Sequence, residues 1–167
     1  MNLHSPSPYW LLRHGIINSY PSLNRDIKAE IVVMGAGISG VLVANQLCRA
    51  GYKVVVVDRR HVGLGSTAAS TALLQYEIDR PLHELIKLVG EKKAIKSYQL
   101  CRKAIADIEK ICRQLNENGL FLPKPSLQFA SVKKDVADLK KEYLLRKKAG
   151  FAIQWLEEDQ INKKFGF

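Results

Sequence analysis

Three glycines, Gly35, Gly37 and Gly40, stand in the pattern G-x-G-x-x-G, and a carboxylate, Asp58, follows 18 residues after the last of them. This spacing serves the holding of a diphosphate and a ribose. Gly35 permits a tight turn, Gly37 lets the backbone approach a pyrophosphate, and Gly40 lets a helix pack closely on a sheet. Backbone N–H groups at the start of that helix, with its partial positive charge, then bind phosphate oxygens. A carboxylate closing the next strand accepts hydrogen bonds from both ribose hydroxyls and repels a 2′-phosphate. An unphosphorylated ribose is therefore favoured, although Arg59 and Arg60 follow directly. The glycine triplet alone is a weak signal and gains meaning only between a strand and a helix.

The surrounding sequence supplies that context. Glu30–Met34 (EIVVM) is a short apolar, β-branched run of the kind found in buried parallel strands. A helix is expected from about Ile38 to Ala50, with Val41, Ala44, Leu47 and Cys48 on one face and Gly51 at its C-cap. Lys53–Asp58 (KVVVVD) reads as a second buried strand. A right-handed crossover makes the two strands parallel and adjacent. Residues 59–71 form a loop with a second small-residue cluster, Gly63–Thr71 (GLGSTAAST). Its hydroxyls can donate to phosphate oxygens while leaving room for a bulky ligand. Residues 1–29 read as an irregular lead-in, with an apolar cluster, Tyr9–Leu12, packing back onto the domain.

Downstream, a helix is expected over 81–89, with Asp79 near its N-cap and Pro81 in its first turn. A long helix follows over 91–116, ended by Asn118-Gly119, with Ile95, Tyr98, Cys101, Ile105, Ile108, Cys112 and Leu115 as its apolar stripe. Strands are expected over 127–132 and 151–156, and helices over 134–148 and 157–164. There is no internal repeat and no low-complexity segment.

Composition bounds the rest. The chain has 167 residues, 47% hydrophobic and 25% charged, an ordinary globular balance. No apolar run reaches the ~18 residues of a membrane helix, and the N-terminus lacks the apolar core of a secretory signal. The net charge is +10. Residues 1–86 hold 8 basic and 6 acidic side chains and residues 87–167 hold 18 and 10, so the excess lies in the C-terminal half. Without a recognition motif this reads as lysine-rich helix surface and not as a nucleic-acid site. Three cysteines, Cys48, Cys101 and Cys112, with no C-x-x-C spacing, argue against a disulfide framework or a metal site. They fit free buried thiols in a reducing cytoplasm. His4, His14, His61 and His83 are scattered, and His61 is read as a solvated loop residue. Glu77 and Asp79 are read as surface polarity and helix capping, and Tyr76 as core or cavity lining.

NAD and FAD both use a glycine turn of this kind. Ala44, Leu47 and Gly51 extend the pattern in the manner of flavoproteins, and the Gly63–Thr71 cluster is bulkier-ligand chemistry. From about Tyr9 to Phe167 the chain resembles the N-terminal part of the D-amino-acid oxidase, glycine oxidase and sarcosine oxidase superfamily of FAD-dependent oxidoreductases. The resemblance rests on the lead-in Trp10, IVVMGAGISG, VVVVDRRHVGLGSTAASTALLQYEID, LQFAS and IQWLEEDQI. The GLGST loop is more specific than the triple glycine.

The resemblance implies an α/β fold with a Rossmann-like, doubly wound FAD-binding βαβ unit and the start of an α+β substrate domain. Residues 1–29 would be lead-in, 30–120 the FAD-binding part and 121–167 the beginning of the substrate domain. Gly35, Ala36, Gly37, Ile38, Ser39 and Gly40 would hold the FAD pyrophosphate, and Asp58, where most members have Glu, the adenosine ribose. Arg59 and Arg60 would lie beside the adenine end. Gly65, Ser66, Thr67 and Ser70 would approach the diphosphate and ribityl chain, and Leu74 and Gln75 the flavin ring. Ala69 stands where some branches attach the flavin through histidine, so no covalent link is expected there. The implied chemistry is oxidation of a C–N bond of a small amine or amino acid, by hydride transfer to flavin N5 and later hydrolysis of the imine.

Members are usually more than twice this length, so the chain reads as an N-terminal portion. Further strands and the substrate-binding residues would come from elsewhere, in the same polypeptide or a complementary chain. Alone, it is expected to be poorly soluble, to bind FAD weakly and not to turn over. The alternatives are a non-catalytic FAD- or ADP-binding subunit, a degenerate fragment, an NAD-dependent dehydrogenase and a basic nucleic-acid-binding protein.

Overall fold

A computed structural model describes residues 7–116 and 121–166. The expected helix stop at Asn118-Gly119 lies outside them. The chain divides into two compact units, Met1–Leu73 and Leu74–Phe167. The boundary falls inside the 30–120 segment expected to form the FAD-binding part.

The first unit is a strand–helix–strand. Strand β1 (Ile31–Met34) and strand β2 (Val54–Val57) pair in parallel, Ile31 opposite Val54 through Met34 opposite Val57. Both strands and their parallel pairing follow the expected pattern, since alternate β-branched side chains fit a pleated surface. Preceding β1, the lead-in is not wholly irregular: helix α1 runs over Tyr9–His14 and packs on the loop after β2, as expected of the Tyr9–Leu12 cluster. Between the strands lies helix α2 (Ile38–Arg49), covering both.

The buried face of α2 centres on Ala44, with Leu47 half-buried. Val41 and Cys48, expected on that face, are exposed, because the helix has only two strands beneath it. Cys101 and Cys112 are half-buried, so none of the three thiols is buried as expected. On β1, Met34 is 87% exposed and Val32 57%; the sheet is not covered on both faces as its apolar sequence would suggest.

The second unit is helical. Helices α3 (Leu82–Val89) and α4 (Glu91–Gln114) are separated at Gly90, whose φ of 83° breaks the run. The N-cap of α3 is Pro81, not Asp79. Helix α5 spans Val136–Lys148 and α6 spans Glu158–Phe165. The apolar stripe of α4 is buried or half-buried from Ile95 to Cys112, while Leu115 is exposed. The core is Leu82, Ala94, Tyr98 and Phe151. Tyr76 stacks on Phe151 with centroids 5.1 Å apart, and Tyr98 meets Phe151 edge-on at 6.1 Å. The Tyr98 hydroxyl donates to the Arg80 carbonyl at 2.7 Å, and burial pushes its pKa up to about 12.

The strands expected over 127–132 and 151–156 do not form. Around Phe151 the backbone donors are spent locally: Phe151 N–H bonds the Arg146 carbonyl and Ile153 N–H the Phe151 carbonyl, both at 3.0 Å. Phe151 is apolar because it fills the core, not because it joins a ladder.

A buried ion cluster ties α5 to α3. Glu142 and Arg146 are 2% and 6% exposed. The Glu142 carboxylate accepts the Leu82 and His83 N–H groups at 2.7 and 3.0 Å, capping α3 from outside. The same carboxylate meets His83 Nδ1 at 2.9 Å and accepts Arg146 Nε–H at 2.6 Å. Arg146 also donates to Glu77 Oε1 at 3.1 Å. Glu77 is therefore neither surface polarity nor a cap, but the second counter-ion of a buried guanidinium.

The basic excess lies on solvated helix surface. Lys103 pairs with Asp107, Arg113 with Glu109, Lys141 with Asp138 and Lys148 with Glu91. Among the described residues no helix is long and apolar enough to cross a membrane.

Candidate functional site

The end of β1 is joined to the end of β2 by the Gly35 N–H, which donates to the Val57 carbonyl at 2.7 Å. Gly35 has a φ of 106°, in the region that disfavours any residue with a Cβ. The turn then enters α2 at Gly37, whose extended backbone (φ −77°, ψ 176°) places it as the N-cap. No side chain of the N-cap itself satisfies the first helical donors.

Gly40 shows why the third glycine is required. A Cβ there would lie 1.9 Å from the Gly35 carbonyl oxygen and 3.4 Å from the Val33 side chain. Helix, turn and strand meet at this point, and only hydrogen fits. At Gly37 a Cβ would meet the Thr67 hydroxyl at 3.2 Å, a tighter than ordinary contact.

Three side and backbone groups lock the turn from outside. Asp58 Oδ2 accepts the Ala36 N–H at 2.7 Å, and Oδ1 accepts the Arg60 N–H at 2.8 Å. The Ala36 carbonyl accepts the Gly63 N–H at 2.9 Å. Thr67 Oγ1 accepts the Ile38 N–H at 3.0 Å, taking one of the donors a phosphate oxygen would otherwise find. The two glycine clusters, 23 or more residues apart in sequence, thus form one structure.

The Ala36 N–H, followed by that of Arg60, holds the Asp58 carboxyl below its ordinary range against desolvation, with the Arg60 and Arg59 charges as lesser contributions. It remains ionised and exposed. A carboxylate offers about four lone-pair positions, so two acceptor directions remain for ribose hydroxyls. Thr67 and Ser70 are placed alike. Each hydroxyl oxygen accepts one backbone N–H, from Ile38 and from Ala72 at 3.1 Å, leaving its proton to donate.

The remaining expected residues fall as follows. Ser39 is exposed on the first turn of α2, and Ser66 opens a short 3-10 helix, Ser66–Ala69. Arg59 is exposed. Arg60 lies against the second loop, its Nη2 3.4 Å from where a Gly65 Cβ would stand. His61 is exposed. Leu74 and Gln75 are exposed at the start of the second unit. Sequence reasoning missed the two cross-links from Asp58 and Thr67 to backbone; nothing in a linear pattern shows which N–H a hydroxyl or carboxylate will take.

The residues fit the diphosphate–ribose half of a dinucleotide. The turn offers first-turn N–H donors with no Cβ in the way, Thr67 and Ser70 offer O–H donors, and Asp58 offers an ionised acceptor. Similarity to known proteins agrees. The chain is 27% identical to a glycine oxidase of Bacillus licheniformis over 138 residues, 81% of this chain and 34% of that protein. It is 24% identical to a gamma-glutamylputrescine oxidoreductase of Escherichia coli over 120 residues, 68% of this chain and 28% of that protein. It is 30% identical over 107 residues, 64% of this chain and 21% of the relative, to a Bacillus subtilis protein, YhfW, described as a Rieske 2Fe-2S iron–sulfur protein. The chain therefore spans about a fifth to a third of the length of these relatives. No solved structure matches it. The profile of the FAD-dependent oxidoreductase family matches residues 30–167, and the chain belongs to that family.

Proposed function

We propose that this chain is the FAD-binding N-terminal portion of an oxidoreductase acting on C–N bonds of small amines or amino acids. The observation that carries the reading is the joined pair of loops at Gly35–Gly40 and Gly63–Ser70. In this reading 30–120 contributes the cofactor-binding part and 121–167 begins the substrate domain. The relatives named glycine oxidase and gamma-glutamylputrescine oxidoreductase support the substrate class.

FAD, when bound, supplies the two-electron acceptance that such a C–N oxidation needs, through hydride transfer to the flavin. The chain's own residues do the binding. First-turn N–H groups of α2 and the Thr67 and Ser70 hydroxyls hold the diphosphate, with Gly65 and Ser66 beside them. Asp58 accepts from the adenosine ribose, with Arg59 and Arg60 toward the adenine. Leu74 and Gln75 would lie near the flavin ring, as the family resemblance implies. In this reading the further length of the relatives supplies most substrate contacts and the rest of the cofactor site, and the 167 residues alone bind FAD weakly and do not turn over.

A second reading, a non-catalytic FAD- or ADP-binding subunit completed by another chain, is favoured by the exposure of Met34 and Val32 on β1. Titration of the chain with FAD, ADP and NAD separates the readings from a dehydrogenase. FAD and ADP binding, with NAD unable to displace FAD, is expected. NAD binding tighter than FAD would refute the proposal, and turnover of an amine by the chain alone would refute the division of labour.

A further inference from the structure

Trp10 has no role in the site as described so far. It sits on α1, in the lead-in, and its indole Nε1–H donates to the Ser70 carbonyl at 2.7 Å across 60 residues of chain. That is a well-formed hydrogen bond. The indole is half-buried and meets two neighbouring rings. Tyr9 meets it edge-on at 4.9 Å, and His14 stacks parallel at 6.1 Å.

Ser70 is where the second loop leaves the site. The 3-10 helix Ser66–Ala69 ends there. The Ser70 hydroxyl accepts the Ala72 N–H at 3.1 Å, and Ala72 has a φ of 57°. A residue with a Cβ adopts this left-handed conformation only at a cost. Thr67, one turn earlier, keeps its oxygen on the Ile38 N–H. The segment is thus fixed at one end to the helix N-terminus and at the other to the lead-in.

We propose that Trp10 is a positioning residue of the cofactor site: its indole N–H straps the Ser66–Ala72 segment, so that the Thr67 and Ser70 hydroxyls are already in place for a diphosphate. This rests on the FAD reading above. A loop ordered before binding spares the ligand the entropy of ordering it. Trp10 touches no ligand. It acts through Ser70.

The test compares Trp10→Phe, which keeps a ring and deletes the donor, with Leu12→Ala, a change at an exposed position of the same helix (67% exposed). Two measurements are made on the 167-residue chain: amide hydrogen exchange without ligand, and titration with FAD and ADP. Trp10→Phe should speed exchange across residues 66–72 about fivefold and weaken both ligands by about the same factor, the effect of one lost hydrogen bond. Amides of β1 and β2 should keep their protection, and Leu12→Ala should change neither measurement. Unchanged exchange over 66–72 overturns the strap. Faster exchange with unchanged affinity overturns its bearing on the cofactor. Loss of protection throughout β1 and β2 also overturns it, since Trp10 would then serve the whole unit. A wild-type chain that binds neither FAD nor ADP overturns the cofactor reading and the positioning role together, while the exchange result still decides whether the strap exists.

Discussion

Glu142→Ala should be among the most damaging single changes in the second unit. The Glu142 side chain is 3% exposed and the Arg146 side chain 7%. Removing the carboxylate leaves a buried guanidinium with Glu77 at 3.1 Å and Gln128 at 3.4 Å as hydrogen-bond partners, over the Tyr76 and Tyr98 rings. Breaking a buried pair from one side costs roughly 3–5 kcal/mol. The Leu82 and His83 N–H groups also lose their acceptor, and a lost helix cap costs about 0.5–2 kcal/mol. A loss of about 4 kcal/mol is expected, much of the stability of a domain this size. The double change Glu142→Leu with Arg146→Met removes both charges and replaces them with apolar volume, which is often close to neutral. It leaves the two α3 donors without their acceptor and Glu77 without Arg146, so it should stop about 1–2 kcal/mol short of wild type.

Urea unfolding followed by circular dichroism reads these differences, since α3, α4 and α5 carry much of the helical signal. The pH dependence has a definite sign. Burial pushes the Glu142 carboxyl up, but the His83 and Leu82 N–H groups, the His83 ring and Arg146 outweigh it and hold it below the ordinary range. A depressed carboxyl pKa stabilises the fold fully above its unfolded value, about 4.3. That contribution is lost as pH falls through the lower folded value. Glu142→Ala should abolish this acid-side slope. A single variant within about 0.5 kcal/mol of wild type, or a double variant no more stable than the single, would refute the reasoning.

Two further outcomes concern the glycine turn and Asp58, the proposed cofactor site. Gly40→Ala should destabilise the first unit by about 1–3 kcal/mol or more, because the new Cβ meets a backbone oxygen at 1.9 Å. Gly37→Ala meets only the Thr67 hydroxyl at 3.2 Å and should cost much less; thermal melts of the two variants give the comparison, and equal losses would contradict it. Asp58→Asn should weaken ADP binding about tenfold, as expected for a charge-assisted bond. Because backbone donors hold the Asp58 carboxyl below its ordinary range, the ratio of wild-type to Asp58→Asn affinity should be the same at about pH 7 and about pH 5. Isothermal titration checks both, and a ratio that collapses at the lower pH would sink the assignment.

Much of the first unit was legible in the sequence because its signals are local. The short β-branched apolar runs in EIVVM and KVVVVD, glycine spacing and a carboxylate at the strand end each constrain their own few residues. The parallel, adjacent placement of β1 and β2 followed from the crossover rule; their register is a finding of the structure. The strand expected at 151–156 failed for a non-local reason, while nothing in the structure explains the missing strand at 127–132. An apolar run looks the same whether it will pair in a ladder or fill a core, and Phe151 does the latter. The stripe on α2 was overstated at Val41 and Cys48 because periodicity gives a face but not the width of what covers it.

The sequence by itself determined the glycine turn and the carboxylate that follows β2, since the positive φ at Gly35 and the close approach at Gly40 demand particular residues at particular places. Tertiary structure alone decided that Asp58 and Thr67 brace the turn, that Trp10 reaches Ser70, and that Glu142 and Arg146 are buried. Glu142 and Arg146 are four residues apart on a lysine-rich helix, where such a pair ordinarily lies in water. Only the packing of α5 against α3 removes that water, and so turns a commonplace surface pair into a buried cluster capping another helix.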